Sequence, residues 1–176
     1  MYKRQQIYDY YTYSGLDRDC KLQTESISNW LTVPDSSKAV LDEFCKEADL
    51  TGTVAEIVQK LAAYYQDNIP YTYQPGITPY GQDFVSYFLK KNRRGYCAHF
   101  ASAATLLLRN CGIPARYVEG YAIDPEDIGE NGKILTDQKV SDYYQGYREL
   151  TDTGVVQVDV TDANAHAWVE IYDQHK

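Results

Sequence analysis

At 176 residues the chain is long enough for one domain with its own core and short for two. Hydrophobic residues at 44% against 24% charged exclude wholesale disorder, and a formal net charge of -8 with a pI near 4.8 excludes a nucleic-acid groove, which needs clustered Lys and Arg. No apolar stretch reaches the length of a membrane span and the start, MYKRQQIYDYY, lacks a signal-peptide core, so direct membrane insertion by this chain is not expected.

Tyrosine is over-represented, with 18 copies, many of them crowded into the start of the chain and into PYTYQPGITPYG. A phenol can bury its ring and keep its hydroxyl wet; surface and edge-strand positions are the plain reading, and stacking on a peptide or glycan is the functional one. Residues 1–33 are polar, aromatic and irregular, and are read as a strand-bearing N-terminal extension wrapped on a domain that spans 34–176. Beyond Pro34, DSSKAVLDEFCKEAD sets Val40, Leu41, Phe44 and Ala48 at helical spacing behind Asp and Ser start signals. Thr53 and Glu56 form a capping box for a second helix with Val54, Ile57, Val58, Leu61 and Tyr65 on one face. Prolines and glycines from Pro70 to Gly81 then punctuate a turn region around the short extended piece YTY. Asp83 can cap a short helix carrying Phe84, Val85, Tyr87, Phe88 and Leu89.

From Cys97 to Asn110 no Gly or Pro interrupts, Phe100, Ala104, Leu107, Leu108 and Cys111 recur at helical spacing, and Gly112 and Pro114 mark the stop. This predicts a buried central helix, followed by a strand in ARYVEGYAI. Residues 124–154 read as a long loop with a short helix near VSDYYQGYREL. VVQVDV and AHAWVEIY, joined by TDAN, are expected to form an antiparallel pair. Helices first and strands later give an α+β class.

The chemistry centres on Cys97. A thiol becomes a nucleophile when a helix N-terminus or an imidazolium favours its thiolate, and Cys97 stands where the central helix begins, after a permissive Gly95. Its own N–H could donate to a tetrahedral intermediate; no second donor is identified. His166 is the candidate base, in a strand that puts His166, Trp168 and Glu170 on one face and Ala165, Ala167, Val169 and Ile171 on the other. His99 is two residues from Cys97, a separation that points apart on a helix, and His175 lies in the tail. Lys90, Lys91, Arg93 and Arg94 read as a solvated helix end or as a local field favouring the thiolate. Cys45 and Cys111 read as packing residues. A Cys20–Cys45 disulfide stays open, and a metal site using Cys97, His99 and His166 lacks a fourth ligand.

The blocks GYCAHFASAATLLLRNCGIPARYVEGY and DANAHAWVEIY resemble the core of the bacterial transglutaminase-like superfamily, from about Asp83 to Tyr172. The resemblance implies a papain-like fold, with N-terminal helices and a central buried helix on an antiparallel sheet, and a Cys-His-Asp type triad. In that triad Cys97 matches the nucleophile and His166 the general base. The third, acidic member belongs on the next strand and is expected beyond Lys176; Asp173 comes too early, and Asp159 and Asp162 read as strand-end and turn residues. The implied reaction is acyl transfer through a Cys thioester on peptide or protein amide bonds, finished by water or by an amine, without a cofactor or metal. An extracytoplasmic, cell-envelope setting in a membrane-anchored parent is part of the same implication. A catalytically silent peptide- or glycan-binding module on this fold is the competing class.

Overall fold

The computed structural model describes residues 24–123, 126, 129–130, 132–134, 156–157, 159 and 161–172. Helix α1 (Thr24–Asn29) precedes α2 (Asp35–Glu47) and α3 (Val54–Asn68). A single turn, α4 (Phe84–Tyr87), runs into a wider π-type turn at Phe88–Asn92, and α5 spans Cys97–Asn110. Strands β1 (Ala115–Tyr121), β2 (Lys133–Ile134), β3 (Val156–Gln157) and β4 (Ala165–Ile171) follow, with a 3-10 turn at Asp162–Asn164 leading into β4.

Local signals fix the helix ends. The Thr53 hydroxyl accepts from the Glu56 N–H while the Glu56 carboxylate accepts from the Thr53 N–H at 2.7 Å, so the predicted capping box forms. Asp83 Oδ1 accepts from the Ser86 N–H at 2.7 Å and also from Ser37 Oγ at 3.3 Å, so one carboxylate caps α4 and ties it to α2. The end of α5 is closed by Ile113 N–H to the Leu108 carbonyl and Gly112 N–H to the Arg109 carbonyl, with Gly112 at φ +79. Only glycine adopts that backbone without strain, which is why the helix stops there.

Leu41 and Phe44 of α2, Ile57, Leu61 and Tyr65 of α3, Val85, Phe88 and Leu89, and Phe100, Ala103, Ala104, Leu107 and Leu108 of α5 share one core. Helix α5 lies at its centre, packed on α2, α3, β1 and β4, with Leu107 wholly buried. Strands β1 and β4 pair antiparallel over seven residues, from Ala115 opposite Ile171 to Tyr121 opposite Ala165. Ala115 and Ala167 are buried on this sheet, and Ala115 with Val169 joins the α5 core. The small alanines let the helix approach closely.

The expected pairing of VVQVDV with AHAWVEIY does not form. Val156 and Gln157 pair with Ile134 and Lys133, and β4 pairs with β1. TDAN is no hairpin turn. Thr161 and Asn164 cap each other's backbone, and the Asn164 carbonyl accepts from the Ala122 N–H at 2.8 Å, which delivers the chain onto β1. There β4 gains a seven-residue ladder and a core face, against two residues on β3. Residues 1–23 of the expected N-terminal extension lie outside the described residues; its remainder holds α1, and its end is anchored. Trp30 O accepts from the Ala115 N–H, Thr32 O from Arg109 Nη1, and the Arg116 guanidinium lies 5.1 Å from the Trp30 ring centre.

Candidate active site

Cys97 is the first residue of α5 and is half-buried. The first turn has few backbone donors left for a ligand, because the N–H groups of His99 and Phe100 both turn to the Tyr96 carbonyl, at 2.9 and 3.3 Å. The Cys97 N–H instead points to the hydroxyl of Tyr71, 3.3 Å away. Tyr71 is carried there by a parallel bridge to Gly95, with Thr72 N–H donating to the Gly95 carbonyl at 2.7 Å. Its ring stacks on Phe100 of α5 at 5.9 Å and meets Tyr73 edge-on at 5.4 Å. Burial, followed by the Tyr73 hydroxyl, pushes the Tyr71 phenol up, so it stays protonated. A second phenol comes from β1. Burial first, then the Glu119 carboxylate and then Cys97 push Tyr117 up, and its hydroxyl donates to Glu119.

Gly95 is required here for lack of a side chain, not for a left-handed backbone. A Cβ at Gly95 would lie 2.6 Å from Cβ and Cγ of His99. His99 is buried among the rings of Phe84, Phe88 and Tyr96, at 4.7, 5.5 and 4.6 Å between centroids. Burial lowers its pKa, and its Nδ1 has no partner. It is a core residue behind the loop, which removes it as a rival base.

His166 is the second residue of β4, opposite Gly120 of β1. It is half-buried, burial lowers its pKa, and its ring lies 6.4 Å from Trp168 in a near-parallel stack. The missing side chain of Gly120 leaves space for Trp168, whose Cη2 is 2.9 Å from where a Cβ would be. Helix α5 and strand β4 pack together, so the elements carrying Cys97 and His166 are neighbours. Ala167 and Val169 are the β4 residues turned inward, and among the described residues no hydrogen bond joins Cys97 Sγ to His166. Glu170, on the face of His166, is engaged by Arg116 and by Trp168 Nε1.

Two members of the basic run turn to α2. Lys90 pairs with Glu43 at 2.5 Å and Arg93 with Glu47 at 3.3 Å, both on α2. Cys45 and Cys111 pack against the core with their sulfurs 3.7 Å apart, and the hydrogen bond between them lowers the Cys45 thiol to about 7 while Cys111 is pushed up. Asp159 is exposed beside Lys133, and Asp162 is exposed in the 3-10 turn. Cys20, Asp173, His175 and the helix expected near VSDYYQGYREL lie outside the described residues. Among these residues no cluster of three His, Cys, Asp or Glu side chains is arranged for a metal, and no helix is long and apolar enough to cross a membrane.

The family described as the transglutaminase-like superfamily matches residues 42–176, a stretch that begins inside α2 and takes in both Cys97 and His166. The chain belongs to this superfamily. This transglutaminase-like chain is 38% identical over 86 residues to a protein-glutamine gamma-glutamyltransferase of Pseudomonas aeruginosa, covering 48% of the chain and 12% of that protein. It is 37% identical over 91 residues to YebA of Bacillus subtilis, covering 52% of the chain and 10% of that protein. The matched stretches are therefore a small part of these curated relatives. Among solved structures it is similar to the periplasmic domain of TgpA from Pseudomonas aeruginosa bound to ethylmercury. That likeness has a TM-score of 0.56 and 26% identity, and covers 89% of the chain and 47% of that domain. The α+β, transglutaminase-like fold expected from the two sequence blocks is thus the fold of the chain, and members of the superfamily are cysteine enzymes.

Tyr71 and Tyr117 are the residues that sequence reasoning passed over. The signal was present in YTY and ARYVEG, but with 18 tyrosines nothing marked these two until the Tyr71–Gly95 bridge and the β1 face put them beside Cys97.

Proposed function

We propose that the chain carries out thiol-dependent acyl transfer on peptide or protein amide bonds, with Cys97 as nucleophile and His166 as general base. The observation that carries this reading is the position of Cys97, at the first residue of a buried helix with its N–H turned outward to a hydroxyl, in the block that matches the superfamily. Sγ attacks the amide carbonyl, the imidazole takes the thiol proton and returns it to the leaving amine, and a thioester is left. His166 is suited to this, because an imidazole whose pKa burial has lowered is neutral, and so able to accept a proton, at neutral pH. The sulfur–imidazole hydrogen bond is completed on substrate binding, as catalytic hydrogen bonds commonly tighten only in the Michaelis complex. The carboxylate that orients the imidazole is assigned by resemblance to the strand after β4. The likeness to a periplasmic domain supports an extracytoplasmic setting and a cell-envelope peptide or protein as substrate.

Iodoacetamide alkylation at neutral pH, read site by site by mass spectrometry, tests the pair. Replacing His166 with Ala should slow reaction at Cys97 by roughly tenfold or more, the factor between an ionised thiol and one a few per cent ionised. Cys45, whose lowered pKa of about 7 comes from Cys111, should react unchanged in that variant and serves as the internal comparison. Equal Cys97 rates in both proteins would sink the pairing. Incorporation of a labelled primary amine into a glutamine-containing protein then marks a transglutaminase, and peptide cleavage without incorporation marks a protease.

A further inference from the structure

Acyl transfer is helped by a second hydrogen bond to the oxygen that gains charge, beside the one from the Cys97 N–H. The N–H groups of His99 and Phe100 are bonded to the Tyr96 carbonyl. Two phenols also lie near Cys97, those of Tyr71 and Tyr117. Tyr117 is unsuited, since its hydroxyl already donates to the Glu119 carboxylate, a charge-assisted bond costly to break and one that leaves a negative group beside any oxyanion. Tyr71 differs on each count. Its oxygen accepts from the Cys97 N–H at 3.3 Å, so the hydroxyl is already on the donor that an oxyanion would use. Its ring is fixed from two sides, against Phe100 and Tyr73, so little freedom is lost when it acts. Burial keeps the phenol protonated, and its neighbour Tyr73 is largely exposed and can yield to a ligand.

We infer that Tyr71 is the second oxyanion donor of this site, an assignment that rests on the acyl-transfer reading above. In the free protein its oxygen satisfies the Cys97 N–H. When a carbonyl enters, that N–H turns to the carbonyl oxygen and the phenol O–H donates to the same atom. Attack forms the Sγ–C bond as the carbonyl π pair moves onto oxygen. Collapse returns that pair, re-forms C=O and expels the leaving group, with the proton carried by His166. Both donors act on charge that exists only in the tetrahedral species, so they lower the barrier rather than bind the ground state.

Two reagents separate this role from the nucleophilicity of Cys97. p-Nitrophenyl acetate acylates a thiol through a tetrahedral oxyanion and releases p-nitrophenolate, whereas iodoacetamide alkylates it by displacement at a saturated carbon, with no oxyanion. Tyr71→Phe keeps both ring contacts and removes the hydroxyl. The expected result is acylation of Cys97 slowed by about 10²-fold, the usual cost of one oxyanion donor. Alkylation of Cys97 should be unchanged, and Tyr73→Phe should acylate like the unaltered protein. Equal acylation in Tyr71→Phe overturns the assignment. So does faster acylation, which would make the phenol a plug on the N–H, and so does a parallel loss of alkylation, which would place its effect on the thiol. An unaltered protein that is alkylated but never acylated at Cys97 overturns the acyl-transfer reading itself, and this inference with it; that outcome is distinct from a Tyr71→Phe that behaves like the unaltered protein.

Discussion

His99 shows how a single side chain can set the acid limit of a fold. It is 6% exposed, ringed by Phe84, Phe88 and Tyr96, with Nδ1 unpartnered, so burial disfavours its charged form and lowers its pKa below the ordinary 6.5. The unfolded chain binds this proton at a higher pH than the folded one. Stability is therefore full above about 6.5 and is lost as pH falls from there through the lowered folded value. His166 contributes with the same sign. Thermal melts from neutral to acid pH should show a falling transition temperature, with a shallower slope in His99→Phe, where only His166 of the pair still titrates. An unchanged slope would mean that the fold admits the imidazolium. That Cys97 begins a helix and His166 lies in a strand was legible from sequence for a like reason, since helix-start and strand positions are local properties. The burial of His99 is a tertiary property, and the i, i+2 separation excluded it as a base without showing where its ring goes.

At the scale of elements, capping residues and periodicity carried far. The capping box of α3, the Asp83 cap, both ends of α5 and the spans of β1 and β4 follow from signals within a few residues. Strand partnership did not follow, because alternation says which residues share a face and is silent on which ladder competes best for them. The role of Gly95 was also misplaced. It was read as a turn glycine, yet the glycines in the left-handed region are Gly52, Gly76, Gly81 and Gly112. Urea unfolding distinguishes the two kinds. Gly95→Ala puts a methyl group against the Cβ and Cγ of His99, atoms close to the helix backbone that cannot swing away, and overpacking of this type costs about 1–3 kcal/mol. Gly81→Ala meets no atom within 4 Å and should cost only the left-handed backbone, about 1 kcal/mol. The reverse order of stabilities would show that the 95–99 junction is looser than its contacts indicate.

For the molecule as a whole, α5 is the axis on which everything else is hung: the α2 and α3 helices on one side, the β1–β4 pair on another, and the Tyr71 loop over its N-terminus. Cys45 and Cys111 join α2 to the far end of the same helix, so their reactivity reports on that junction and not on the active end. The chain leaves this frame after Tyr121 and returns at Ala165, two residues that face each other across the ladder. Ala122 and Asn164 clasp the exit, each donating to the other's carbonyl, from the Ala122 N–H and from Asn164 Nδ2. The ladder is thus interrupted in the chain between Ala122 and Asn164. A two-residue Asn-Gly turn fits such an antiparallel end, and a chain shortened in this way should keep the β1–β4 register and the iodoacetamide reactivity of Cys97. Shortening a closed loop roughly twentyfold lowers its closure cost by about 2.7 kcal/mol. The frame that holds Cys97 and His166 can then be prepared as a miniature, and the excised segment returned or exchanged as a cassette to ask what it selects.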